Sequence, residues 1–114
     1  MIGSCLMMAL KGPRLLKKEQ EFIIENQIAG VVLFKRNIES FKQISQLNKQ
    51  IKSLTQPAPL IAVDMEGGLV DRFSHLKGVQ PWPSAEELSQ KAPQDVFLTA
   101  KKMAKQLKSL GFDL

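Results

Sequence analysis

A single cysteine, a single histidine and no apolar stretch approaching the ~20 residues of a membrane span set the first limits on this 114-residue chain. Cys5 has no partner in the same sequence for a disulfide, which fits a reducing cytoplasm, and its expected role is that of a small buried hydrophobe rather than a nucleophile. The opening "MIGSCLMMALKG" puts only four residues ahead of Cys5, too few for the basic and apolar regions of an export signal. There is no G-x-x-x-x-G-K-[ST] either. Nothing would therefore cradle nucleotide phosphates, although an apolar run ending in Asp64-x-Glu66 is what the magnesium-binding strand of a phosphate-loop ATPase also shows.

What the chain does have is the composition of an ordinary globular domain, with 44% hydrophobic residues. The formal charge of +5 comes from lysines dispersed over several segments, which read as solvated helix faces rather than as one polyanion-binding block. One domain fits in this length; a complete enzyme barrel of about 250 residues does not.

Apolar runs and amphipathic segments alternate. "SCLMMAL" suits a short buried strand over residues 4–9, and "KKEQEFIIENQ" after Pro13 suits a helix with Phe22 and Ile23 as core contacts. "GVVLF", Gly30 to Phe34, and "PLIAV", Pro59 to Val63, are apolar on both parities and are expected to be strands covered on both faces. Between them, Phe41, Ile44, Leu47, Ile51 and Leu54 fall at steps of three and four, one stripe of a helix. Beyond the prolines around Trp82, Ser84 and Glu87 form the capping box of a short helix. A last helix from Pro93 carries Val96, Ala100, Met103, Leu107 and Leu110 on one face and is capped by Gly111; "FDL" then opens another apolar segment.

Strand and helix alternating in this way predict parallel βα units, with strands one, two and three adjacent in that order and helices on one side. In such sheets the ligand-binding groups lie beyond the carboxyl ends of the strands. "KRN", Lys35 to Asn37, and Asp64 stand there. In "LIAVDMEGGLVDRF" a carboxylate at a strand end can accept hydrogen bonds from neighbouring sugar hydroxyls while Arg72 supplies fixed donors, and Gly67 and Gly68 let the backbone turn beside the ligand. Equally, Asp64 could cap the following turn with Arg72 neutralising it. Asp64 and Glu66 do not suit a glycosidase acid and nucleophile, because such groups flank the scissile bond from opposite sides. His75 reads as a surface residue before it reads as a general acid or base.

"GVVLFKRNI", "LIAVDMEGGLVDRF" and the closing "LGFDL" resemble, in order and spacing, the N-terminal part of bacterial β-N-acetylhexosaminidases of glycoside hydrolase family 3, over essentially the whole of residues 1–114. The resemblance implies an α/β fold, the N-terminal βα units of a (β/α)8 TIM barrel truncated before or at the fourth strand. It implies removal of N-acetylglucosamine from peptidoglycan fragments in the cytoplasm, in cell-wall recycling, with Asp64 and Arg72 binding the sugar in the first subsite and no cofactor or metal. The chain departs from the family at Leu69, where arginine is usual, and at Ala9 and Lys11, where an acidic first-strand motif is common. The family's catalytic histidine, its lysine-histidine pair and its nucleophilic aspartate belong to later segments, and His75 does not occupy the histidine's position. The expected partners are an N-acetylglucosamine-containing sugar and a complementary chain or a second copy, with no nucleic acid and no membrane. The alternative is a basic βα module that binds or assembles without hydrolysis.

Overall fold

The computed structural model describes residues 2–114. Three parallel strands, β1 (Met7–Ala9), β2 (Gly30–Leu33) and β3 (Leu60–Val63), are hydrogen-bonded in the order β1-β2-β3. Helices α1 (Lys17–Asn26) and α2 (Phe41–Lys52) fill the two crossovers, and α3 (Ala85–Ser89) and α4 (Pro93–Ser109) follow β3. The alternation in sequence thus becomes the expected parallel sheet. No helix among the described residues is long and apolar enough to cross a membrane.

The register aligns Met8, Val31 and Ile61 in one row and Met7, Gly30 and Leu60 in the next. Neighbouring residues on a strand point to opposite faces, so these rows lie on opposite sides of the sheet. The first side is dry: Val31, Leu33 and Ile61 are fully buried against Ile23 of α1 and Ile44 and Ile51 of α2. Each such side chain contributes about 1.5–3 kcal/mol of burial. The second side is bare, with Met7 43% and Leu60 47% exposed. Coverage on both faces, expected from the apolar runs, is therefore not found in this chain; helices cover one face only. The Cα radius of gyration, 15.4 Å, exceeds the roughly 13 Å of a compact domain of this length, as an open-faced layer should.

Local departures from expectation have local causes. Residues Ile2–Cys5 form a 3-10 turn instead of strand, because the Gly3 carbonyl accepts from Leu6 and Ala29 while its missing side chain lets Asn26 come close. Cys5 is exposed on that turn, not buried. In α1 only Ile23 faces the sheet; Phe22 is 48% exposed. Glu19 is buried instead, its carboxylate accepting from the Lys11 and Leu16 amides and so closing the loop after β1. The α2 stripe packs on the core through Ile44, Leu47 and Ile51, with Leu54 just beyond the helix end, and Ser84 caps α3 by accepting from the Glu87 amide. Along α4 the expected stripe is uneven: Val96, Met103 and Leu107 are half-buried and Ala100 is exposed, while Leu110, just past the helix end, enters the core together with Phe112.

Residues 113 and 114 lie along the outer side of β3. The Asp113 and Leu114 amides donate to the Ile61 carbonyl, and the Val63 amide donates to the Leu114 carbonyl. The Asp113 carboxylate accepts from the Ile61 amide at 2.9 Å and from Lys52 Nζ at 2.7 Å. Burial works to raise its pKa, but the Lys52 hydrogen bond, the Ile61 amide and the Lys52 charge together hold it below the ordinary value of 3.8. A carboxyl depressed on folding adds stability above its unfolded pKa and loses it as pH falls through the folded value. The urea midpoint is therefore expected to fall on acidification below about pH 4, and to fall less in Asp113→Asn. The effect is modest, since the two side chains are 33% and 32% exposed. Equal acid sensitivity in the two proteins would remove the Lys52–Asp113 pair as its cause.

Candidate functional site

Beyond the carboxyl ends of β2 and β3 the chain makes two loops that lean on each other. After β2, a 3-10 turn over Lys35–Asn37 buries Asn37 completely. Its side-chain oxygen accepts from the Phe34 amide, and its nitrogen donates to the Leu10 and Gly12 carbonyls, so one side chain ties the loop after β1 to the loop after β2. Gln43 of α2 adds bonds to the Pro13 and Asn37 carbonyls.

After β3, residues 66–70 form a tight reversal closed by backbone bonds between Glu66 and Val70 and between Val70 and Gly67. Gly67 has φ of +78° and lies against Pro83; Gly68 has φ of +56° and donates to the Trp82 carbonyl. The glycine pair thus seats the reversal on the Pro-Trp-Pro segment, where any side chain at Gly67 would collide.

Asp64 and Arg72 meet at this end. Arg72 Nε donates to the Asp64 backbone carbonyl at 3.2 Å, and Arg72 Nη2 stands 3.9 Å from Asp64 Oδ2. The Asp64 side chain is 67% exposed and that of Arg72 only 23%. The guanidinium also lies 5.9 Å from the centroid of the Phe34 ring at the end of β2. The arginine is held by backbone and ring, and the carboxylate beside it projects into solvent. Among the described residues no backbone amide donates to the Asp64 carboxylate. The turn-capping role is taken by Asp71, whose Oδ1 accepts from the Phe73 and Ser74 amides and whose Oδ2 accepts from the Trp82 amide at 2.7 Å.

Asp71 is 5% exposed and is the residue that sequence reasoning missed. Its signal was the Asp-x-Phe-Ser order of an aspartate-initiated turn, masked by the more conspicuous Arg72 beside it. His75, exposed, lies with Nε2 2.7 Å from the Ile38 carbonyl, within hydrogen-bond distance. Glu66 is exposed two residues from Asp64. Among the described residues no group of histidine, cysteine, aspartate or glutamate could hold a metal ion. A groove of about 540 Å³, lined by Lys52, Leu107, Phe112 and Asp113, lies where Asp113 meets the start of β3, away from Asp64.

Three parallel strands joined by helical crossovers, with a carboxylate and a guanidinium beyond their carboxyl ends, are the arrangement of a barrel-type β/α domain. The family follows from comparison: residues 3–114 match the model of the glycosyl hydrolase family 3 N terminal domain, and the chain belongs to that family. A β-hexosaminidase of Neisseria meningitidis serogroup A is 35% identical over 94 residues, covering 82% of this chain and 26% of that protein. One from Stenotrophomonas maltophilia is 32% identical over 114 residues, covering 96% of this chain and 34% of its own length. The crystal structure of NagZ from Neisseria gonorrhoeae in complex with N-trifluoroacetyl-D-glucosamine superposes with a TM-score of 0.78 at 26% identity, over 94% of this chain and 33% of that one. The chain spans between a fifth and a third of the length of the curated relatives it matches.

Proposed function

We propose that these 114 residues form the first arc of a (β/α)8 β-N-acetylhexosaminidase that removes N-acetylglucosamine from peptidoglycan fragments in the cytoplasm, serving cell-wall recycling. Asp64 and Arg72 are its sugar-binding pair. The observation that carries this reading is the Asp64 carboxylate left free of the turn, two-thirds exposed and beside a guanidinium already held in place. A carboxylate so placed accepts from two sugar hydroxyls, and the neighbouring Nη groups donate to a third oxygen. Membership of a family whose relatives are β-hexosaminidases supports the choice of sugar.

The pair binds and orients; it does not break a glycosidic bond. Hydrolysis with retention needs a nucleophile and an acid/base group on opposite sides of the bond, and Asp64 and Glu66 stand on one short segment. The remaining groups come from a further part of the barrel. That part also covers the bare face around Met7 and Leu60, so the 114 residues alone are expected to self-associate.

Titration of the 15N-labelled chain with N-acetylglucosamine tests the reading. Shifts are expected at the amides of residues 64–72, with affinity falling roughly tenfold or more in Asp64→Ala, as expected for loss of charge-assisted hydrogen bonds. No shift at these amides, or unchanged affinity in the variant, would refute the sugar site. A chromogenic N-acetylglucosaminide should remain unhydrolysed by the chain alone. Turnover that Asp64→Ala abolishes would overturn the division between binding and catalysis.

A further inference from the structure

A groove of about 500 Å³ stands apart from the Asp64 and Arg72 pair, neither of which lines it. Its walls are Phe41 at the start of α2, the segment from Gln80 through Pro81, Trp82 and Pro83, and Gln106 of α4. All of these belong to the present 114 residues, so no further part of a barrel is needed to complete it. Its volume and its aromatic lining are those of a ligand pocket.

Trp82, the only tryptophan of the chain, is held at three points. Its amide donates to Asp71 Oδ2 at 2.7 Å, its carbonyl accepts from the Gly68 amide at 2.9 Å, and its indole N–H donates to Gln106 Oε1 at 2.9 Å. The residue is thus fixed in place while only half-buried. A ring already immobilised loses little freedom when a ligand packs on it. The same bond sets Gln106: its oxygen is engaged by the indole, and its amide nitrogen remains a donor on the groove wall.

Charge narrows the class of ligand. Charged residues make up 24% of the chain, yet none lines this groove. An ion would lose hydration there and find no counter-charge, whereas a neutral ligand meets no such cost. The amides of Gln80 and Gln106 stand beside the Phe41, Trp82 and proline rings. A pyranose divides in the same way, with C–H groups on the faces of its ring and hydroxyls around its rim. A proline-rich peptide, the other neutral ligand of aromatic grooves, presents carbonyl acceptors, and the indole N–H that would serve them is already engaged.

We propose that the groove of Phe41, Trp82 and Gln106 binds a neutral oligosaccharide, with a pyranose face on the indole and ring hydroxyls on the glutamine amides. It is a second carbohydrate site, independent of Asp64 and Arg72. With no carboxyl group on its walls, it holds a glycan without cleaving it.

Trp82 fluorescence reports the groove directly. Titration of the 114-residue chain with N,N′,N″-triacetylchitotriose is expected to give a saturable change in emission, with the same affinity in Asp64→Ala. In Gln106→Met, which keeps the side-chain length without the amide, the affinity read from this signal should fall roughly fivefold. Trp82→Leu, combined with Asp64→Ala and followed by calorimetry, should bind roughly tenfold more weakly than Asp64→Ala alone. If either groove variant does not fold, the titrations of the parent chain and of Asp64→Ala decide by themselves. An unchanged Trp82 emission overturns the proposal. So does a response that disappears in Asp64→Ala, which leaves the strand-end sugar site standing. A response that survives Asp64→Ala while the amides of residues 64–72 stay unshifted upholds the groove and removes the strand-end site. A saturable response to a proline decapeptide with none to chitotriose replaces the glycan by a peptide and overturns the proposal.

Discussion

Asp71→Ala is expected to lower folding stability by about 3 kcal/mol and to loosen the whole segment that carries Arg72. Asp71 gathers three amides with one carboxylate: Phe73 and Ser74 next to it, and Trp82 eleven positions on. Removing it strands those donors, of which the Phe73 amide is buried, and each buried unmade bond costs about 1–3 kcal/mol. The damage reaches the core because Phe73, 1% exposed, packs against Phe41 at 5.3 Å and Phe112 at 6.4 Å between ring centroids. It also frees the Trp82 indole, which donates to Gln106 of α4. Urea unfolding monitored at Trp82 measures the loss. Asp71→Asn, which retains one acceptor oxygen, should fall between the two. A midpoint for Asp71→Ala within error of the parent would show that the loop is held by something other than this carboxylate.

A comparable loss is expected from Gly67→Ala. An added Cβ would stand 2.0 Å from the Pro83 carbonyl oxygen, and the backbone is at φ +78°. Left-handed backbone alone costs an L residue roughly 1–2 kcal/mol, and separating the reversal from the Pro-Trp-Pro segment brings the total to about 3 kcal/mol. Two other glycines divide the cause. Gly78 has φ of +78° with open space around it, so Gly78→Ala should show the backbone cost alone. Gly12 has neither a positive φ nor a neighbour within 4 Å, and Gly12→Ala should be nearly neutral. The same urea titration ranks them, and a loss at Gly67 no greater than at Gly78 would mean that Pro83 simply moves aside. Sugar affinity should fall with Gly67→Ala as well, because the reversal connects Asp64 to Arg72.

Which parts of this molecule could be read in advance depended on how local their causes are. The strands at Gly30 and Leu60 were legible because a short β-branched, apolar run between turn signals satisfies only one kind of element. The α2 stripe and the Ser84 cap were legible for the same reason: spacing along the chain determines them directly. Asp64 and Arg72 could be paired from their place after a strand, and the structure brings them together. Asp71 carried a local signal in the Phe73 and Ser74 amides that follow it, but its third partner, Trp82, is brought close only by the folded loop. Glu19 was likewise hidden, because a carboxylate inside a helix reads as solvated until Lys11 and Leu16 turn their amides toward it. Nor does an apolar run on both parities tell which face finds a cover. Val31 and Ile61 did, and Leu60 did not.

The strand order β1-β2-β3 is also the order in which a ribosome would release these segments. Each new strand bonds to the one made immediately before it, and residues 113–114 continue the progression against β3. Within these residues each strand therefore finds its first partner among segments already synthesised. The topology allows the sheet to grow vectorially, each new strand adding to an edge that has already been translated.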